Sequence, residues 1–241
     1  MQKVTLRKIN IIKLFSTLSV VLSLMICSHV FAYDFDKGVP HDVQAQMVQD
    51  LDFVTTIQGS EQTPLHQQIF GQLTGATYKN FFDERIASIG IDSCGSPNAV
   101  ACVYPMIPNK MFITNNYIRF SHPAIARLMV VFHESRHTEY ENRNWGHASC
   151  PIPFKDADGS DMKSVWTGVR LAGEPACDVT PFGSYGSSTI MIKNISKFCE
   201  NCNEKVKMDA GIYGDDQYKR IIDTNAKEQM HRDLYGGKLI L

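Results

Sequence analysis

Two histidines and a glutamate set the tightest constraint on this chain. In His133-Glu134-Ser135-Arg136-His137 the histidines stand four residues apart. On an α-helix that spacing puts both imidazoles on one face, one above the other, within reach of a single metal ion. The glutamate projects beside them, close enough to act on a water held by that metal. Two neutral nitrogen ligands, an open coordination position and a carboxylate base are the parts of a metal-assisted hydrolysis site. The neighbouring residues predict a helix over 124–140, because Ile125, Leu128, Met129, Phe132 and Tyr140 recur at helical spacing and mark a buried stripe. His133 and His137 flank that stripe. Ser121 is placed to cap the helix and Pro123 suits its first turn. A surface helix that merely carries two histidines is the rival reading, and the agreement of spacing, capping and periodicity speaks against it.

The N-terminus reads as a secretory signal. Lys3, Arg7, Lys8 and Lys13 supply a positive region, residues 14–30 an apolar run, and Val30-Phe31-Ala32 a small-residue cleavage point. The expectation is cleavage after Ala32, releasing residues 33–241 as a single domain to the periplasm or the medium. The apolar run is short for a bilayer span and no later stretch approaches spanning length, so no stable membrane span is expected. Cys27 raises a lipoprotein alternative, but Ile26 stands where a lipobox prefers a small residue. Removing residues 1–32 leaves 20 basic against 25 acidic residues, a formal charge of −5. That balance argues against a nucleic-acid partner, which needs a basic surface.

Six cysteines lie beyond residue 32: Cys94, Cys102, Cys150, Cys177, Cys199 and Cys202. An even number in an exported chain reads as disulfides. Proximity in sequence suggests Cys94–Cys102 and Cys199–Cys202, leaving Cys150–Cys177. The alternative for Cys199-Glu200-Asn201-Cys202, a redox pair or half of a zinc knuckle, lacks a second C-x-x-C and a βαβ setting.

The fold class expected is α+β and mainly helical, with the metal helix beside a small β-hairpin or sheet. Val43, Met47, Val48, Leu51 and Val54 form one helical face ended by Gly59. Further helices are predicted over 65–73 after Thr63-Pro64, over 78–89, over 185–198 and over 218–230. Residues 99–104 and 110–114 are β-prone runs flanking a proline-containing loop. The run 156–161, rich in aspartate, lacks the terminal glutamate of a calcium loop and reads as a solvated turn.

A catalytic zinc wants a third protein ligand. His147 follows ten residues after His137. Glu174 and Asp178 stand four apart in Gly173-Glu174-Pro175-Ala176-Cys177-Asp178. A Cys150–Cys177 bridge would bring His147 and Asp178 into one neighbourhood, and a carboxylate often orients a ligating histidine. His147 ranks first, Asp178 second and Glu174 third, because the residue before a proline avoids helical geometry. Tyr185 and Tyr140 are candidates to hydrogen-bond an oxyanion or substrate, each with a rival reading as a core tyrosine. His41, His66, His122 and His231 read as surface or capping residues, and Arg136 as an exposed helix charge pairing with Glu139 or Glu141.

On these residues the helix resembles the active-site helix of zincin metallopeptidases. The metzincin extension fails, since Tyr140 and Arg143 occupy its glycine and last histidine positions. Asp178 with Phe182-Gly183-Ser184-Tyr185-Gly186 loosely resembles the aspzincin tail, and Glu174 with Asp178 the gluzincin spacing. More widely, His133-Glu134-Ser135-Arg136-His137-Thr138-Glu139, Asn144-Trp145-Gly146-His147, Cys150-Pro151, Ala176-Cys177-Asp178 and Gly183-Ser184-Tyr185-Gly186 are similar to uncharacterised exported bacterial proteins. The resemblance implies a zincin-like domain binding Zn2+ through His133, His137 and a third ligand. Glu134 would activate a zinc-bound water against a peptide, protein or cell-wall peptide substrate. A zinc amidase acting on cell-wall peptide bonds shares the same residues, and a non-catalytic exported binding protein with a structural metal, or none, is the rival from another class.

Overall fold

The computed structural model describes residues 33–107, 109–119, 122–139 and 145–236. The expected signal segment 1–32, the cap Ser121 and Tyr140 lie outside them. Among the described residues the architecture is α+β, with eight helices and one four-stranded sheet. Strand β1 (Asp34–Phe35) leads into α1 (His41–Thr55), α2 (Pro64–Ile69) and α3 (Gly75–Asp83). Strands β2 (Ser88–Ile91), β3 (Ala101–Val103) and β4 (Lys110–Ile113) follow. Then come α4 (Asn115–Arg119), α5 (Ala124–His137), α6 (Ser184–Phe198), α7 (Glu204–Tyr218) and α8 (Thr224–Tyr235).

The sheet order is β1-β2-β4-β3. The first two pairings are parallel, and β3 runs antiparallel to β4 in the register Cys102↔Phe112. The two β-prone runs therefore form the expected hairpin, and β3 lies on the sheet edge. The predicted helix over 78–89 needs correction: α3 stops at Asp83 and the chain turns into β2. Ile86 and Ile89 are fully buried, but Ile89 pairs with Met111 on β4. Their spacing from Phe82 fits a helix face locally, and pairing on both edges of β2 overrides it. Helix α2 ends at Ile69, short of the expected residue 73, with Thr63 accepting from the His66 amide as its cap. The helix expected over 218–230 is two elements: α7 stops at Tyr218, and Asp223 caps a new helix by accepting from the Ala226 amide.

Helix α5 differs from a one-sided amphipathic helix. Every residue from 125 to 136 is buried, since α1, α3, α6, α7 and β3 all pack around it. Arg127 is tolerated there because it meets Asp50 of α1 through Nε–Oδ2 at 2.5 Å and Nη2–Oδ1 at 2.7 Å. The core is apolar and rich in aromatic contacts: Phe132 stacks on Phe81 with ring centroids 5.8 Å apart and meets Tyr78 edge-on at 5.6 Å. His66 is part of this interior rather than the surface, its ring bonded to Tyr78 Oη at 2.7 Å and to the Gly71 carbonyl at 3.0 Å.

All three expected cysteine pairs are joined: Cys94–Cys102, Cys150–Cys177 and Cys199–Cys202. Disulfides fit an oxidising compartment. No helix among the described residues is long and apolar enough to cross a membrane. Thiol titration of the denatured chain lacking residues 1–32 should find no reactive sulfhydryl. Two or more would overturn the framework and return Cys199 and Cys202 to consideration as thiolates.

Candidate metal centre

Helix α5 delivers His133, Glu134 and His137 to the wall of a cleft, and His147 meets them there. The three Nε2 atoms form a tight triangle: His133–His147 3.1 Å, His137–His147 3.1 Å and His133–His137 3.3 Å. In a tetrahedral zinc site with Zn–N bonds of about 2.0–2.1 Å, ligand nitrogens lie about 3.3 Å apart. The triangle fits that requirement.

The protonation of the ring nitrogens also fits. His147 Nδ1 lies 2.9 Å from Asp178 Oδ1, and a carboxylate accepts, so Nδ1 carries the proton and Nε2 presents its lone pair. Burial, reinforced by His147, His137 and Arg220, holds His133 well below the ordinary imidazole range, which leaves it neutral. With its lone pair turned to the point where the other two Nε2 atoms converge, His147 completes a set of three nitrogens that could serve one cation.

Asp178 is not a fourth member of the cluster; it stands behind His147. Its other oxygen accepts from the amides of Tyr185 at 2.8 Å and Gly186 at 3.3 Å, in the first turn of α6, where the helix dipole favours a negative charge. The approach is close enough that a Cβ at Gly183 would lie 2.3 Å from Asp178 Oδ2, so that position must be glycine. The Cys150–Cys177 disulfide and the reciprocal backbone bonds between Ala148 and Cys177, at 2.7 and 3.1 Å, fix the His147 strand to the Asp178 strand. Glu174 is exposed at the cleft rim, where its carbonyl accepts from the Cys150 amide at 2.8 Å; its carboxylate does not join the histidines.

Glu134 is buried yet lines the cleft, and no other described residue hydrogen-bonds to its carboxyl. Burial pushes that carboxyl up to about 8, and a cation at the histidine triangle would favour its charged form. Tyr185, from the first turn of α6, lies against two of the histidines, with ring centroids 4.4 Å from His133 and 4.6 Å from His147. Its hydroxyl accepts from Arg220 Nη1 at 3.0 Å, which leaves its own proton free to donate.

Arg136 is buried, not an exposed helix charge. Its Nε donates to the Phe182 carbonyl at 2.9 Å and its Nη1 to Glu139. Glu139 also accepts from Arg85 Nη2 at 2.8 Å and from Trp145 Nε1 at 3.0 Å. One carboxylate thus ties the end of the metal helix to the segment that carries His147.

The cleft above these residues has a volume of about 520 Å³. Edge strand β3 forms one wall, Met129 and Val130 of α5 the floor, and Trp166 and Leu171 of the loop after Cys150 the far side. Arg220 and Trp166 were not singled out by sequence, since neither stands in a pattern of ligand or base spacing. No family model, curated protein or solved structure matches this chain.

Proposed function

We propose that this chain is an exported zinc-dependent hydrolase of peptide bonds, a zincin-like metallopeptidase. The observation that carries the reading is the triangle of His133, His137 and His147 Nε2 atoms with a buried carboxyl beside it in an open cleft. Zinc bound there would polarise a carbonyl and make water acidic enough to attack near neutral pH. The chain's own residues supply the rest. Glu134 takes a proton from the attacking water at its carboxylate and returns one to the departing amine. Tyr185 Oη, already accepting from Arg220, donates a hydrogen bond to the oxygen that gains negative charge and keeps its proton. Asp178 holds His147 in the tautomer that leaves Nε2 unprotonated. The edge strand β3 offers unpaired main-chain groups beside the cleft, which suits an extended peptide.

Metal analysis of the purified protein, paired with digestion of a broad peptide library, tests the reading. The expected result is close to one zinc per chain and cleavage that a chelator abolishes and zinc restores. Stoichiometric zinc without cleavage would favour a structural metal, and absence of metal binding would overturn the reading altogether.

A further inference from the structure

Arg220 is the one buried cation lining the cleft among the described residues; the other cleft arginine, Arg170, sits exposed on the rim in an ion pair with Asp161 at 3.0 Å. Arg220 is only 4% exposed, and it follows α7 directly. Its main chain is pinned to the residue that supports the metal histidine. The Asp178 amide donates to the Arg220 carbonyl at 2.9 Å, and the Ile222 amide returns to the Asp178 carbonyl at 2.9 Å. The guanidinium is therefore preorganised against the site rather than loosely hung over it.

Its hydrogen bonding is incomplete. A guanidinium carries five N–H donors. Here Nη1 donates to the neutral Tyr185 hydroxyl at 3.0 Å, and Nη2 reaches Asp216 only at 3.5 Å, longer than a good charge-assisted bond. Asp216 is itself shared, accepting from Gln217 Nε2 at 3.1 Å. Nε is buried with no partner. A buried cation with spare donors is costly unless an anion completes it. Arg220 lines the cleft, and a carboxylate placed there could complete its guanidinium with charge-assisted bonds, two-pronged where two of its N–H groups are reached.

We propose that Arg220 anchors a carboxylate of the substrate next to the bond that is cut, so that the enzyme selects peptides carrying a negative charge at that place. This rests on the peptidase reading above. The carboxylate comes either from a free C-terminus, which makes the enzyme an exopeptidase, or from an aspartate or glutamate side chain.

The test reads binding, so it does not depend on turnover. Zinc-loaded Glu134→Gln protein is titrated calorimetrically with three N-acetylated tetrapeptides of alanine and leucine: one ending in a free acid, one in a carboxamide, and one amidated but carrying an internal glutamate. At least one acidic peptide should bind about ten- to a hundredfold tighter than the neutral one, the range for a hydrogen bond to a charged group. Which of the two does so identifies the source of the carboxylate. In the Glu134→Gln, Arg220→Met double variant the ratio should fall to about one, and Arg220→Lys should restore part of it, since it keeps the charge but loses the fork. Zinc stoichiometry and circular dichroism check that each variant is folded. Equal binding of the three peptides, or no binding of any, overturns the proposal. So does a ratio that survives Arg220→Met. Failure of zinc to bind at all would instead defeat the metallopeptidase reading.

Discussion

Glu134→Gln is expected to keep zinc at the wild-type stoichiometry and to lose peptide hydrolysis by at least about a hundredfold, up to about ten-thousandfold, the range for removing a general base. The two halves of that result come from different features of the structure. Zinc should be retained because the proposed ligands are the three histidine Nε2 atoms, and Glu134 makes no hydrogen bond that holds any of them. Activity is lost because Glu134 is the acidic group buried at the cleft wall in the helix between two of those ligands, and an amide cannot accept the proton from the attacking water. The substitution is nearly isosteric, and it removes a carboxyl whose burial is unfavourable when charged, so stability should hold or rise. Inductively coupled plasma metal analysis and a peptide-cleavage assay on the same preparation read both halves. Retained turnover would remove Glu134 from the chemistry, and loss of zinc would mean that it supports the ligands instead.

The metal helix was legible in the sequence because two periodicities coincide there: histidines at i and i+4, and an apolar pattern at 3.6 residues. The cysteine pairs were legible because each of the local ones spans a few residues and the third followed by exclusion. Helix α7 was not legible, for a physical reason. Its buried residues are only Ala210, Gly214 and Gln217, so there is no stripe of large apolar side chains to detect. Its packing depends instead on absence of bulk: a Cβ at Gly214 would lie 2.5 Å from Lys193 Cδ of α6. Two glycines inside a helix lower its intrinsic propensity, and contact with α6 overrides that penalty. The strand β2 was hidden in the same way, by pairing partners remote in sequence. Arg220 belongs with them. It enters the site through the backbone pairing of Asp178 with Ile221, a contact no local pattern announces. Arg136 and Glu139 were visible as residues but misplaced to the surface, because an i, i+3 charge pair looks the same whether or not Arg85 and Trp145 close over it. Local sequence patterns thus mark the proposed metal ligands, whereas most of the groups that hold or surround them are set by contacts remote in sequence.

The division between bonding and holding can be measured at His147 and Asp178. His147→Ala should weaken zinc binding about as severely as His137→Ala, since each deletes one of three nitrogens set 3.1–3.3 Å apart. Asp178→Asn should cost less, about 10- to 100-fold in metal affinity or activity, as changes to groups that orient a ligand do. The amide can still meet His147 Nδ1 through its carbonyl oxygen, but it loses the negative charge that favours the Nδ1–H tautomer. It also cannot have both its atoms accept, so either the bond to His147 or those from the Tyr185 and Gly186 amides must weaken. Asp178→Ala should be worse than Asp178→Asn, because it leaves those two amides and the imidazole without a partner in a buried position. A competition titration against a chromogenic zinc chelator places the four variants on one scale. The order expected, from weakest binding, is the two histidine variants together, then Asp178→Ala, then Asp178→Asn. Should Asp178→Asn fall level with His137→Ala while His147→Ala keeps near-native affinity, the carboxylate would be the third ligand and the histidine its support, and the site would be closer to the aspzincin arrangement.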